Sequence, residues 1–359
     1  MSETGVGVFE GLSDPKLDYL AKRVANTARL ATYRVIAKAG DPSKVVAPAD
    51  KSSIEAIVLS RFRAQPAVKQ QRAVQKAKAF MASPLASRKR KFGELASIDL
   101  HSTKSIHEMA RTIPIPAGMR LDAAHLKRLA ADPSLFIEGF KQPDADGGFT
   151  PQADFDNLRL RIRKVKCNDE TDGFFGSESG DDEISMGGVK VDETGDVHKL
   201  EAFNVGNSFE DGDSKTYNPP KKFASFNLRE GNKWPKTYYV SMVLAERDNG
   251  GLPSYLSDLF KYTEDKVSEL VEQFGVSALG PELGKIAGAI AVAAFQSLVE
   301  FFTEIWEDDI FPVVTAYANI KSLNHVFASG TRTSSEKSKW VKAHGGKYTI
   351  YFDWQVYEG

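Results

Sequence analysis

The stretch Lys347-Tyr348-Thr349-Ile350-Tyr351-Phe352-Asp353-Trp354-Gln355-Val356-Tyr357 reads as the clearest β-strand of the chain. It is rich in the β-branched and aromatic residues that fill a pleated surface, and no Gly or Pro interrupts it.

Working outward, the same rhythm occurs far upstream. Leu158, Leu160, Ile162 and Val165 are spaced between Arg159, Arg161, Arg163 and Lys164, which predicts a strand with one apolar and one basic face. Further strands are expected at 184–191, 197–203, 222–228, 237–246 and 313–320. Short strands separated by Gly, Asn and Asp turns predict an antiparallel β-sandwich over residues 158–359. A helical hairpin interrupts it at about 254–309. Leu256, Leu259, Phe260, Val267, Leu270, Val271 and Phe274 share one face of its first helix. Its second, 282–306, is rich in Gly and Ala and ends in Phe301, Phe302, Ile305 and Trp306. A break at 275–281 separates the two.

The first 140 residues have a different texture. Asp14 is placed to cap a helix and Pro15 suits its first turn. Leu17, Leu20, Val24, Ala28, Ala31 and Val35 then form one apolar stripe, and Gly40-Asp41-Pro42 stops it. Helices are also expected at 51–63, 66–82 and 121–131. Residues 93–120 give no clear period, with Pro114 and Pro116 favouring extended chain. Arg88-Lys89-Arg90-Lys91 falls in a polar stretch, and residues 141–157, with Pro143 and Gly147-Gly148, have the composition of a linker. The expected class is α+β: a mainly helical basic region at 1–140, a linker at 141–157, and an acidic β-sandwich with an inserted two-helix hairpin at 158–359.

Charge divides along the same line. Residues 1–130 hold 23 Lys/Arg against 11 Asp/Glu, a net of +12, whereas the remainder holds 24 against 37, a net of −13. Such a split suggests two modules with separate partners, or one half docking on the other. The only cysteine is Cys167, so no internal disulfide can form. The N-terminus lacks the basic and apolar regions of a signal peptide. A protein made in the cytoplasm is therefore expected, with any export or delivery using a route without a cleaved signal.

A resemblance rests on short motifs. Cys167-Asn168-Asp169-Glu170-Thr171 leads to Asp182-Glu183-Ile184, and a Gly/Ala-rich helix ends in Asp308-Asp309-Ile310-Phe311-Pro312. The pattern closes on Gly345-Gly346-Lys347-Tyr348 and Phe352-Asp353-Trp354. This resembles a poorly characterised group of bacterial β-sandwich proteins with a helical hairpin inserted between strands, some of them effector-like. The resemblance covers residues 158–359 and implies an architecture, with no catalytic residues to carry over.

Three features could carry function. The hairpin is the first. Ile286, Ile290, Phe295, Leu298, Phe301, Phe302 and Trp306 are candidates for membrane contact if the hairpin leaves the fold, or core residues if it stays. The second is an acidic loop. Asp169, Asp172, Asp181, Asp182 and Glu183 supply the hard oxygens that Ca²⁺ prefers, although no segment has EF-hand spacing, and solvated surface is the plainer reading. The third is the basic patch Arg88, Lys89, Arg90 and Lys91, which could meet an acidic partner or a delivery machinery. No nucleic-acid motif or base-stacking platform is legible, so nucleic acid is not an expected partner. Neither a Gly-x-Ser-x-Gly elbow, a P-loop, a dinucleotide fingerprint nor a His-Glu-x-x-His motif is present.

The expectation is a non-enzymatic bacterial protein of effector or toxin type, whose sandwich and hairpin engage a membrane and whose basic helices serve loading or targeting. The alternative is a structural or binding protein in which the hairpin is permanent core and the sandwich meets a protein partner.

Overall fold

A computed structural model describes residues 5–41, 50–140, 154–171, 182–231, 233–246, 252–273, 282–306, 310–327 and 330–358. The fold is α+β, with two antiparallel sheets packed as a sandwich and a layer of helices on one of them. The chain enters as β1 (Val6–Val8). Six α-helices follow among the described residues: α1 (Pro15–Ala39), α2 (Ile54–Ala64), α3 (Ala67–Met81), α4 (Leu85–Phe92), α5 (Ile106–Thr112) and α6 (Ala123–Ala131). Strands β2 (Asn157–Asp169), β3 (Asp182–Val191), β4 (Val197–Phe209), β5 (Ser214–Asn227) and β6 (Lys236–Glu246) come next. The hairpin α7 (Leu252–Glu272) and α8 (Glu282–Trp306) precedes β7 (Val314–Ile320), β8 (Lys337–Ala343) and β9 (Gly346–Tyr357).

One sheet has the order β1-β7-β6-β3-β4 and the other β5-β2-β9-β8. Between them lies an apolar core in which Leu158, Leu160 and Ile162 of β2 meet Ile350, Phe352 and Trp354 of β9. Strand β6 is buried almost end to end because both its faces are covered. Tyr238, Val240, Met242 and Leu244 point into the sandwich, whereas Tyr239, Val243 and Ala245 point to the helices. A strand covered on both sides cannot show the alternation of a half-solvated one.

The second core lies between the five-stranded sheet and the helices, and α8 runs through it. Its small residues set the approach. A Cβ on Gly284 would stand 2.4 Å from the Thr194 carbonyl oxygen, and one on Gly288 would stand 3.3 Å from Val191 Cγ1. Gln296 Nε2 donates to Thr315 Oγ1 on β7 at 3.2 Å. That hydroxyl lies 2.8 Å from Ser241 Oγ, so helix and sheet share a polar pin inside an apolar layer.

Helix α1 covers the other side of α8. Asp14 caps it as the spacing predicts, accepting from the amides of Lys16 and Leu17 at 3.0 and 3.1 Å. The expected stripe is buried, except that Val35 is only partly so. Ala21, Ala25, Leu30 and Ile36 are buried as well, because α1 is enclosed on more than one side. The N-terminal region also joins the sheet directly, since β1 pairs antiparallel with β7 at Val6↔Ala318 and Val8↔Ala316.

Three local expectations are corrected. The polar stretch with Arg88–Lys91, for which no element was expected, forms α4, where Lys89, Arg90 and Lys91 occupy the last turn and complement the helix dipole. The unreadable stretch 93–120 contains α5, capped by Ser105. Strand β5 begins well before 222 and runs through Pro219 and Pro220, which an edge strand tolerates because it has no second neighbour to bond. Residues 141–153 of the expected linker and the expected hairpin break at 275–281 lie largely outside the described residues.

Candidate functional site: a cationic sheet face and an interhelical cleft

The outer face of the four-stranded sheet is built by cross-strand register. Strand β2 alternates buried apolar residues with outward Arg159 and Arg161. A register shift between Ile162 and Lys164 then breaks the alternation, so Arg163 and Lys164 both face outward before Lys166 resumes it. Lys222 lies opposite Arg161 on β5. On the far side Lys342 of β8 lies opposite Lys347 of β9. Strand β2 thus provides five cations and β5, β8 and β9 one each, against the carboxylates of Asp353, of Glu336, whose Oε2 lies 3.5 Å from Arg163 Nε, and, at the rim, of Asp169.

These groups are held in place. Asp353 is buried under the two arginines it serves. Arg161 donates through Nε and Nη2 to its two carboxylate oxygens at 2.7 and 2.9 Å, and Arg163 Nη1 donates at 3.1 Å. Gln355 Oε1 accepts from Arg159 Nε at 2.8 Å and from Arg161 Nη1 at 3.0 Å. Three guanidiniums therefore share one carboxylate and one amide. Three cations also lie over aromatic rings: Arg159 over Tyr357 at 4.5 Å, Lys164 over Tyr351 at 4.1 Å, and Lys347 over Trp340 at 5.1 Å. Trp340 itself is 56% exposed on the edge strand β8. Like charges directly opposite one another, as at Arg161↔Lys222 and Lys342↔Lys347, weaken a sheet. The fold gains nothing from them.

A cleft of about 810 Å³ opens between α1, α2, α5 and α7. Arg34 donates to Glu55 Oε1 at 3.1 Å on one wall, and His107 Nε2 lies 2.7 Å from Glu269 Oε2 on the other. Burial, with the Lys266 ammonium adding to it, holds His107 below the usual imidazole range. Burial alone would raise the Glu269 carboxyl, but hydrogen bonds from Lys266 and His107 outweigh it and hold the group below its usual value. The pair is therefore a carboxylate accepting from a neutral imidazole. Burial pushes the Tyr262 phenol far above its usual value, and its hydroxyl has no hydrogen-bond partner among the described residues. The cleft carries charges of both signs in near balance, whereas on the sheet face eight cations outnumber three carboxylates.

The residues singled out from the sequence are widely separated. Ile286, Ile290, Phe295, Leu298, Phe301, Phe302 and Trp306 are at most 2% exposed, all within the core that α8 shares with α1, α7 and the sheet. By length and composition alone, Gly284–Trp306 could cross a membrane, at a mean hydropathy of 1.6. Of the calcium candidates, Asp169 and Glu183 are exposed at strand ends. Asp172 and Asp181 lie outside the described residues, and only the backbone of Asp182 is described, as the first residue of β3. Among the described residues no cluster of three or more His, Cys, Asp or Glu is placed to hold a metal. The patch Arg88–Lys91 sits in the helical layer, on the opposite side of the five-stranded sheet from the cationic face.

The basic sheet face was missed as a site. Its one sequence signal was the run Arg159, Arg161, Arg163, Lys164 and Lys166 in a strand rhythm. Compared with known proteins, the chain matches no family model, no curated protein and no solved structure.

Proposed function

We propose that this is a non-enzymatic binding protein in which the α7–α8 hairpin is permanent core and the sandwich offers its cationic sheet face to an anionic partner. The burial of α8 carries the reading. Phe295, Leu298 and Trp306 are all fully buried, and release of the hairpin would expose both the α1 stripe and the outer face of β6. Newly exposed apolar surface costs about 25 cal/mol per Å², and a whole domain is stable by only about 5–15 kcal/mol, so release works directly against the stability of the fold.

A second reading draws on the apolar length of Gly284–Trp306. In it the protein is a delivered effector whose hairpin leaves the fold and enters a membrane, with the basic helices used for loading. Hydrogen exchange of the full chain separates the two. As permanent core, the amides of 282–306 exchange only with global unfolding, whereas a releasable hairpin exchanges well before it. Early exchange confined to the hairpin would overturn the first reading.

A further inference from the structure

We infer that the anionic partner of the four-stranded sheet is the surface of an anionic lipid bilayer, with Trp340 as the anchor at the headgroup level; this rests on the reading just given.

The charge argument comes first. Eight cations face outward against three carboxylates; Asp353 is spent on Arg161 and Arg163, and Glu336 lies 3.5 Å from Arg163. Strands lie about 4.8 Å apart and alternate residues about 6.7 Å apart, so the charges form a two-dimensional array. A planar field of phosphates and carboxylates is the complementary shape. Each Lys or Arg near such a surface adds attraction that decays within a Debye length.

The kind of cation argues against a protein partner. Five of the eight are lysines: Lys164, Lys166, Lys222, Lys342 and Lys347. Lysine is depleted at the cores of protein interfaces, where its strongly hydrated ammonium resists desolvation. At a headgroup layer the ammonium stays wet and still feels the charge.

The rings argue against single-stranded nucleic acid. Base stacking needs open aromatic faces. Lys164 and Arg159 cover the outward faces of Tyr351 and Tyr357. Trp340 also carries a cation, Lys347 at 5.1 Å over one face, but at 56% exposure it is the large ring open to solvent, with Lys342 beside it on the face. An amphipathic indole among cations is the composition of a membrane-interface anchor.

The test is co-sedimentation of the full-length protein with phosphatidylcholine vesicles, with and without phosphatidylserine, over a salt series. Binding is expected only with phosphatidylserine and is expected to fall steeply with salt. The double variant Lys166→Glu/Lys342→Glu is expected to bind at least about tenfold more weakly. Trp340→Ala is expected to weaken binding several-fold and to abolish a blue shift of tryptophan fluorescence on vesicle addition. Lys89→Glu/Arg90→Glu on α4 serves as a control on the opposite layer and is expected to bind as the parent does. Circular dichroism establishes that each variant is folded. No sedimentation with phosphatidylserine at low salt would overturn the inference, as would binding indifferent to the sheet substitutions. Tighter binding to a single-stranded oligonucleotide or to polyglutamate than to vesicles would also overturn it, and would leave the core role of the hairpin standing. Hydrogen exchange on the vesicle-bound protein reports that role separately. Loss of protection at 282–306 would overturn the core reading, while protection retained alongside binding supports both.

Discussion

Arg29, in the first helix of the chain, donates through Nη2 to the backbone oxygen of Ser297 at 2.7 Å and to its hydroxyl at 2.9 Å. The guanidinium also lies 5.4 Å from the centre of the Phe301 ring. One side chain therefore ties α1 to α8 by hydrogen bonds, a cation–π contact and its buried aliphatic stem. Arg29→Ala is expected to cost about 2–3 kcal/mol, since it removes two charge-assisted hydrogen bonds and the packing of the stem. Urea denaturation measures it, and Arg29→Lys should recover only part of the loss because one ammonium cannot reproduce the fork.

Phe295 tests the core role of α8. It is fully buried and its ring lies 4.7 Å from that of Phe260 on α7. Phe295→Ala is expected to destabilise the whole protein by about 3–5 kcal/mol through lost transfer energy and a cavity. Leu85→Ala, at a site 45% exposed, is expected to change stability by less than about 0.5 kcal/mol. A small effect of Phe295→Ala in equilibrium unfolding would contradict the packing described.

Glu264 gives α7 a pH dependence of definite sign. Its carboxyl is pushed up to about 7, first by burial and then by Asp265, Asp196 and Asp192, with Lys261 opposing. A carboxyl whose folded pKa is raised binds its proton more tightly in the native state. Its contribution is therefore full below the ordinary value of 4.5 and is lost as pH rises through about 7. Mild acid is thus expected to tighten the packing of α7 against β3 and β4. The urea midpoint should fall between pH 5 and pH 8 by more in the parent protein than in Glu264→Gln, and a hairpin released by mild acid is disfavoured on this account.

Asp353 organises the cationic face. It is 1% exposed, with Arg161 and Arg163 as partners. Asp353→Asn keeps the shape but removes the charge that two guanidiniums share. The expected cost is about 2–4 kcal/mol, read by thermal or urea unfolding, with Arg161 and Arg163 losing their fixed orientation.

The hairpin was legible because its period is strong. The predicted second helix, 282–306, is the one observed, and the first begins and ends within two residues of its predicted bounds. The capped start at Asp14 and the strand over 347–357 were legible for the same reason, since local pattern and tertiary role agree. Strands β1 and β8 were not. Val6-Gly7-Val8 is too short to show a period, and Lys337-Ser338-Lys339-Trp340-Val341-Lys342-Ala343 has the lysine-rich texture of an edge strand, which reads as loop. The cationic face was illegible for a different reason. Arg161 and Asp353 are 192 residues apart, and only pairing of β2 with β9 reveals that they meet. In the sequence the acidic balance of residues 131–359 conceals a strongly basic surface, because net charge says nothing about which side of a sheet carries it.

The sharing of one core by α1 and α8 has a consequence for synthesis. Arg29, within the apolar-striped helix α1, leaves the ribosome 268 residues before Ser297, its partner on α8. At about 5–20 residues per second, that stripe waits roughly 13 to 54 seconds for the helix that covers it. Strand β1 waits longer still for β7. The N-terminal helices are thus made long before the elements that seal them. During translation they are the segment on which a chaperone would act, and ribosome-bound chains halted before α8 should be cut by protease within α1, while those halted after β7 should resist.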